Sequence, residues 1–282
     1  MIATVSPGGG RRAGIAGRWE DLGVSLSMPL PDAMVKRARE FSGPPAVARP
    51  AATVVLLDPA SRDVYLLKRA GTMVFGGVYA FPGGRVDAAD RPETIRADWA
   101  QRLGVPDEQA RAVVGAAIRE LFEEAGVLLA GPVGEPDRTV GDVSGPGWEA
   151  DRAAVAAREL TLEALLAKRE LRLRDDLLLP WSRWITPEFE PKRFDTWFFV
   201  ALLPQAQTAR DVSGEAEGTT WVSPDATGNL AMLPPTRVTL NQLTAYPKME
   251  DLVAASASRN AAVPVIPLVE LTDDGGAVVT IP

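Results

Sequence analysis

Glu120, Glu123 and Glu124 stand at i, i+3 and i+4 within Ala116 to Leu129, read as AAIRELFEEAGVLL. On a helix of 3.6 residues per turn these three carboxylates share one face. Ile118, Leu121, Phe122 and Ala125 follow the i, i+3, i+4, i+7 pattern of an apolar face on the other side. Like charges at this spacing cost an exposed helix about 0.2–0.5 kcal/mol per pair, and Arg119 is the only cation in the stretch. Two readings follow: a solvated acidic face, or a set of hard oxygen ligands of the kind Mg²⁺ or Mn²⁺ prefers. The chain has no histidine and no cysteine. That excludes Ser-His-Asp and Cys-His catalysis, thiol nucleophiles and disulfides. Acid–base work falls to carboxylates, lysine, tyrosine or metal-bound water.

The elements around the acids are readable by the same logic. Gly126 is placed as the C-cap of the acidic helix, where a left-handed residue is needed, and Val127 to Leu129 begin an apolar run that reads as a strand. Upstream, Ala51 to Leu57 and Val64 to Lys68 read as a hairpin, and Val78 to Phe81 as a strand running into the turn Pro82-Gly83-Gly84. Without Cβ atoms that turn lets backbone approach a metal or phosphate closely. Between the turn and the acids, Trp99 and Leu103 followed by Gly104-Val105-Pro106 predict a short helix, a turn and a helix start near Asp107. Downstream, Trp148 to Leu173 is expected to be helical, Thr196 to Leu203 a buried strand and Gly218 to Val222 another. Pro235 to Tyr246 and Lys248 to Ser256 are expected as helices, and Val263 to Leu271 with Ala277 to Ile281 as a closing hairpin. Residues 1–45 are expected as a flexible leader, with Pro7 to Gly17 disordered and a short helix from Asp32 to Phe41, and 46–282 as one domain.

Arg119-Glu120-Leu121-x-Glu123-Glu124-x-Gly126-Val127 after a Gly-Gly turn closely resembles the Nudix box, the signature of the Nudix hydrolases. The first half of the box departs from the pattern. The glutamate expected six residues beyond Gly84 is the shorter Asp90, and Arg91 to Ile118 form a much longer gap before Arg119 than is usual. Flanking stretches are similar to the nucleoside diphosphate-linked moiety X motif 19 branch: Leu66 to Ala70, Val78 to Gly84, Asp87 to Asp90, Trp184 to Pro187, Pro191 to Phe199, and Leu233 to Thr236. That branch also carries a long insertion in the box. The resemblance implies an α/β fold, the Nudix α/β/α sandwich with a mixed β-sheet and a helical insertion inside the box.

It also implies roles. Glu120, Glu123 and Glu124 would be the metal ligands for Mg²⁺ or Mn²⁺, with the Gly83 carbonyl as a fourth, and Arg119 would orient the carboxylates. The general base is Glu215 or Glu217 in a later loop, or Glu120 itself. Arg69, Lys192 and Arg193 are candidates for substrate phosphates. Trp181, Trp184, Phe194 and Trp197 supply either a stacking platform or core packing. Animal members of the branch are coenzyme A diphosphatases. The coenzyme A motif expects a threonine after the double leucine and an arginine before the glycines, where this chain has Lys68 and Met73 or Val74. The expected substrate is therefore a nucleoside diphosphate derivative, coenzyme A or acyl-coenzyme A first, ADP-ribose or a dinucleotide as the alternative, and a non-catalytic binding module as the reading from another class.

Composition is consistent with these expectations. The 282 residues are 46% hydrophobic and 24% charged, with a net charge of -7. That balance supports a sizeable core and argues against nucleic acid or a membrane surface as a general partner, since both are anionic. The chain closes on Thr280-Ile281-Pro282 with no peroxisomal tripeptide, so a cytoplasmic location is expected. Oligomeric state is not legible.

Overall fold

The computed structural model describes residues 26–30, 32–71, 76–214, 216–259 and 261–281. Pro7 to Gly17, Met73, Val74 and Glu215, named above, lie outside these residues. In chain order the elements begin with β1 (Leu26–Pro29), α1 (Asp32–Glu40), β2 (Arg49–Leu57), β3 (Val64–Arg69), β4 (Tyr79–Ala80) and β5 (Gly83–Arg85). Then come α2 (Trp99–Leu103), α3 (Asp107–Ala125), β6 (Ala130–Pro132), α4 (Pro146–Ala156), α5 (Leu162–Lys168), β7 (Leu171–Leu173), β8 (Leu179–Ile185), β9 (Phe194–Leu202) and β10 (Ala216–Val222). The chain finishes with α6 (Pro234–Thr244), α7 (Met249–Ser258), β11 (Leu268–Leu271) and β12 (Ala277–Ile281).

The main sheet runs β10-β3-β2-β9-β8, with β4 on β3 and β5 on β2. Among the described strands of this sheet β2 and β9 run parallel, from Arg49↔Phe194 to Leu57↔Leu202, and the other pairs antiparallel, so the sheet is mixed. Its central strands are buried on both faces and alternate by the two-residue period of a strand. Val54, Leu56, Tyr65, Leu67, Trp197 and Phe199 join one core with α2, α3 and α5. Val55, Leu57, Val64, Leu66, Phe198 and Val200 join the other with α6 and α7. This is the expected sandwich, with helices on both sides of the sheet.

The helical insertion has a packing role. Trp99 and Leu103 are fully buried, Trp99 Nε1 donates to Asp175 Oδ2 (2.7 Å), and Trp197 Nε1 donates to the Leu103 carbonyl (3.1 Å). Gly104 turns the chain at φ 66°, and α3 then runs 19 residues into the acids. Gly126 ends it at φ 65°, its N–H donating to the Phe122 carbonyl, as the C-cap reading requires.

Three expectations are corrected. Trp148 to Leu173 is not one helix: α4 stops at Ala156, Arg158 takes a left-handed φ of 63°, and α5 restarts after Thr161, whose hydroxyl accepts from the Ala164 N–H (3.1 Å). Val127 to Leu129 are buried without strand pairing, and the strand begins at Ala130. The short helix expected from Asp32 forms as α1, but the stretch read as a flexible leader is tied to the rest of the chain: β1 pairs with β12 in a three-stranded sheet with β11, and Val35 of α1 packs on Ala277 and Val279. No helix among the described residues is long and apolar enough to cross a membrane.

Candidate active site

The acids of α3 do not form a solvated face. Arg119 is 3% exposed and Glu120 6%, and both sit in a helix whose surroundings are the larger of the two cores. A guanidinium offers five donors in a planar fork. Arg119 Nε and Nη2 donate to Asp90 Oδ1 and Oδ2 (2.6 and 2.8 Å), a bidentate pair. Its Nη1 donates to Glu120 Oε1 (2.6 Å) and Glu123 Oε1 (3.0 Å), and Nη2 also reaches the Arg85 carbonyl (2.9 Å). Arg119 thus contacts three carboxylates and one backbone carbonyl. The shorter Asp90 reaches it because the Asp87–Asp90 turn is closed by its own hydrogen bonds, Asp87 N–H to Asp90 Oδ2 (2.7 Å) among them.

The two glycines allow close approach, Gly84 to a carboxylate and Gly83 to the backbone of β2. A Cβ on Gly84 would lie 2.4 Å from Glu120 Oε1, and one on Gly83 would lie 2.6 Å from the Ala52 carbonyl oxygen. Neither glycine has a positive φ. Gly83 N–H donates to Glu124 Oε2 (2.7 Å), which fixes the third glutamate against β5. Burial, opposed by Arg119 and reinforced by Glu123, pushes the Glu120 carboxyl up to about 7. For Arg119 burial works against the charge, but Asp90, Glu120 and Glu123 outweigh it and hold its pKa above the ordinary value.

The acids open onto a cleft of about 1170 Å³ between the main sheet, the turn after α4 and the terminal elements. Its floor carries Gly83, Gly84 and the three glutamates; Arg49, Arg69, Arg85, Arg152 and Arg158 supply positive charge, and Phe81, Phe194 and Phe198 an apolar wall. Arg69 lines the cleft, and its Nε is buried with no hydrogen-bond partner among the described residues. The other two phosphate candidates are elsewhere. Lys192 is exposed and does not line the cleft, while Arg193 braces backbone, donating to the Thr186 (3.0 Å) and Ala46 (2.8 Å) carbonyls. Glu217 is not brought to the acids: it takes Lys68 Nζ (2.9 Å) and the Gly71 N–H (3.0 Å) at the sheet edge. Glu215 lies outside the described residues. Trp181 and Trp197 are core residues, whereas Trp184 and Phe194 reach the cleft. Sequence reasoning missed Arg152 and Arg158, which approach from α4 and from the turn after it, with no motif to mark either.

The donor set suits a hard divalent cation, being all carboxylate, and the Gly84 backbone leaves the space a Cβ would fill beside Glu120. In the present arrangement those carboxylates are turned elsewhere: Glu120 and Glu123 to arginines, Glu124 to the Gly83 N–H. Among the described residues no three acids converge as ligands.

Comparison with known proteins decides what the arrangement is. Residues 94–232 match the NUDT19 Nudix domain family model. A Nudix hydrolase from Alicyclobacillus acidocaldarius superposes with a TM-score of 0.57 at 27% identity, covering 76% of this chain and 98% of that one. The chain belongs to the Nudix hydrolase family. Its curated relatives include a putative nudix hydrolase 7 of Caenorhabditis elegans, 28% identical across 78% of this chain and 67% of that protein. They also include the acyl-coenzyme A diphosphatases NUDT19 of Gallus gallus (26%; 72% and 66%) and Homo sapiens (28%; 71% and 65%). The chain thus spans about two thirds of the length of these relatives. Within the Nudix hydrolases it falls in the NUDT19 branch, and α3 carries the glutamates of the box.

Proposed function

We propose that this Nudix hydrolase cleaves the diphosphate of acyl-coenzyme A or coenzyme A with Mg²⁺ or Mn²⁺, giving an adenosine-phosphate half and a phosphopantetheine half. The observation that carries the reading is the Arg119 fork, which holds Asp90, Glu120 and Glu123 beside a large cleft with both arginines and an apolar wall. A bound divalent ion supplies charge neutralisation at the phosphates and an activated water. Glu120, Glu123 and Glu124 are the residues to hold it. Glu120, held beside the cleft by Arg119 Nη1, is also the candidate general base among the box acids. Arg69 offers its unpartnered Nε to a substrate phosphate. The apolar wall of Phe81, Phe194 and Phe198 suits a pantetheine arm and its acyl tail. The named NUDT19 relatives favour this substrate over ADP-ribose or a dinucleotide.

The test is a substrate panel with and without Mg²⁺. The expected result is the highest kcat/KM for acyl-coenzyme A, with both halves released in equal amounts. A preference for ADP-ribose moves the substrate but keeps the chemistry; binding without turnover in saturating Mn²⁺ favours the module reading.

A further inference from the structure

Of the cleft cations outside the box, Arg158 makes the direct side-chain contact with a box glutamate. Arg158 follows α4 and ends that helix at φ 63°, in the left-handed region where glycine is favoured at a helix terminus. Its N–H donates to the Val155 carbonyl (3.0 Å), as a helix-ending residue does. Its guanidinium crosses to the Nudix helix. Nη1 pairs with Glu123 Oε1, and Nε lies 3.5 Å from Asp87 Oδ2. Glu123 is 11% exposed and already takes Arg119 on the same oxygen. Arg158 itself is 44% exposed, so its outer surface faces the cleft. A strained backbone position thus presents a long cation to one of the acids assigned to metal binding.

We propose that Arg158 is a displaceable counter-cation of the Nudix acids. With no divalent ion bound it neutralises Glu123 and Asp87. An arriving ion competes for Glu123, and the released guanidinium stays in the cleft to meet the substrate's diphosphate, to which its planar fork is matched. Two functions of one side chain follow: it weakens cation binding in the free protein and strengthens substrate binding in the loaded one. Metal occupancy and substrate binding are thereby coupled, since substrate phosphate gives Arg158 another partner and leaves Glu123 to the ion. The proposal rests on the diphosphatase reading for its second half.

The experiment is Mn²⁺ titration of the substrate-free full chain, followed by paramagnetic resonance of free Mn²⁺, for wild type, Arg158→Gly and Arg158→Lys. Glycine suits the left-handed backbone, so Arg158→Gly is expected to fold. It should bind Mn²⁺ roughly two- to fivefold more tightly than wild type, the scale of losing a partly exposed ion pair. Arg158→Lys, which keeps the charge without the fork, should fall between them. With acyl-coenzyme A at saturating Mn²⁺, Arg158→Gly should show a KM raised several-fold, opposite in sign to its metal effect. Unchanged or weaker Mn²⁺ affinity in Arg158→Gly overturns the proposal, as does an unchanged KM. If wild type and Arg158→Gly alike fail to bind Mn²⁺, the metal-dependent reading fails and takes the proposal with it.

Discussion

α4 has a charge cluster on each side, and the two are built on opposite balances. On one side Asp151 accepts Lys168 Nζ (2.6 Å) and Arg169 Nε (2.8 Å) and Nη2 (2.5 Å) from the end of α5 and the residue after it, so two cations surround one acid. On the other, Asp87, Asp90, Glu120 and Glu123 gather around Arg119 and Arg158, with Glu124 beside them on the Gly83 N–H. Asp151 and Glu120 both expose little surface, 4% and 6%, but Asp151 lies just beneath it, under the 58%-exposed Lys168, whereas Glu120 sits deeper, against the 3%-exposed Arg119. Their carboxyls move in opposite directions. Burial pushes both up; at Asp151 the hydrogen bonds from Lys168 and Arg169 outweigh it and hold the carboxyl below the usual range. At Glu120 burial wins over Arg119, with Glu123 adding repulsion. The Asp151 cluster is a clamp that has spent its charge on its own fold. The Nudix cluster retains acidic charge, and a divalent ion is the species that would balance it.

Breaking the hub of each cluster should separate these roles. Arg119→Met strands several buried acids, and loss of one partner from a buried ionic network costs about 3–5 kcal/mol. Urea unfolding should show that loss, with turnover abolished. Glu123→Gln removes charge from the side that has an excess. Turnover should fall on the order of 10²–10³-fold, the scale of several kcal/mol of lost transition-state charge stabilisation. Metal-free melting of this variant should be unchanged or slightly higher. Equal losses of stability and turnover would mean that Glu123 serves the fold, as Asp151 does.

Smaller effects sharpen the contrast. Mg²⁺ at about a hundredfold over its Kd should stabilise wild type by about 2.7 kcal/mol, and Asp151→Asn by the same increment, while a Glu123→Gln/Glu124→Gln protein gains little. Asp151→Asn itself should cost about 1–3 kcal/mol, with turnover per folded molecule within measurement error of wild type. Because the folded Asp151 pKa is depressed, its contribution is present above the ordinary aspartate pKa and is lost as pH falls through the folded value. The stability gap between wild type and Asp151→Asn should therefore narrow only in acid. A gap constant from neutral pH downwards would contradict the clamp assignment.

The parts of the site that were legible in sequence are those made by one element. The three glutamates, Arg119 and the Gly126 cap lie on a single helix, where spacing alone sets the face. The insertion was legible because Trp99, Leu103 and Gly104 carry helix and turn signals of their own. What stayed hidden depends on contacts between distant segments. Asp90 reaches Arg119 only through the Asp87–Asp90 turn, and Glu217 is claimed by Lys68 across the β3–β10 pairing, at a position where the coenzyme A motif expects threonine. Arg158 was hidden for a local reason: no glycine or proline marks the break after Ala156, and the alanine-rich stretch reads as continuous helix. Thr161, an N-cap before Leu162, was the available signal for the restart.

The most direct test of the surplus-acid account is product release from acyl-coenzyme A by wild type and Glu123→Gln, with Mg²⁺ and with a chelator. The account predicts both halves of the substrate from wild type in Mg²⁺ and almost none in the other three conditions. Equal release in the chelator, or from Glu123→Gln, would contradict it.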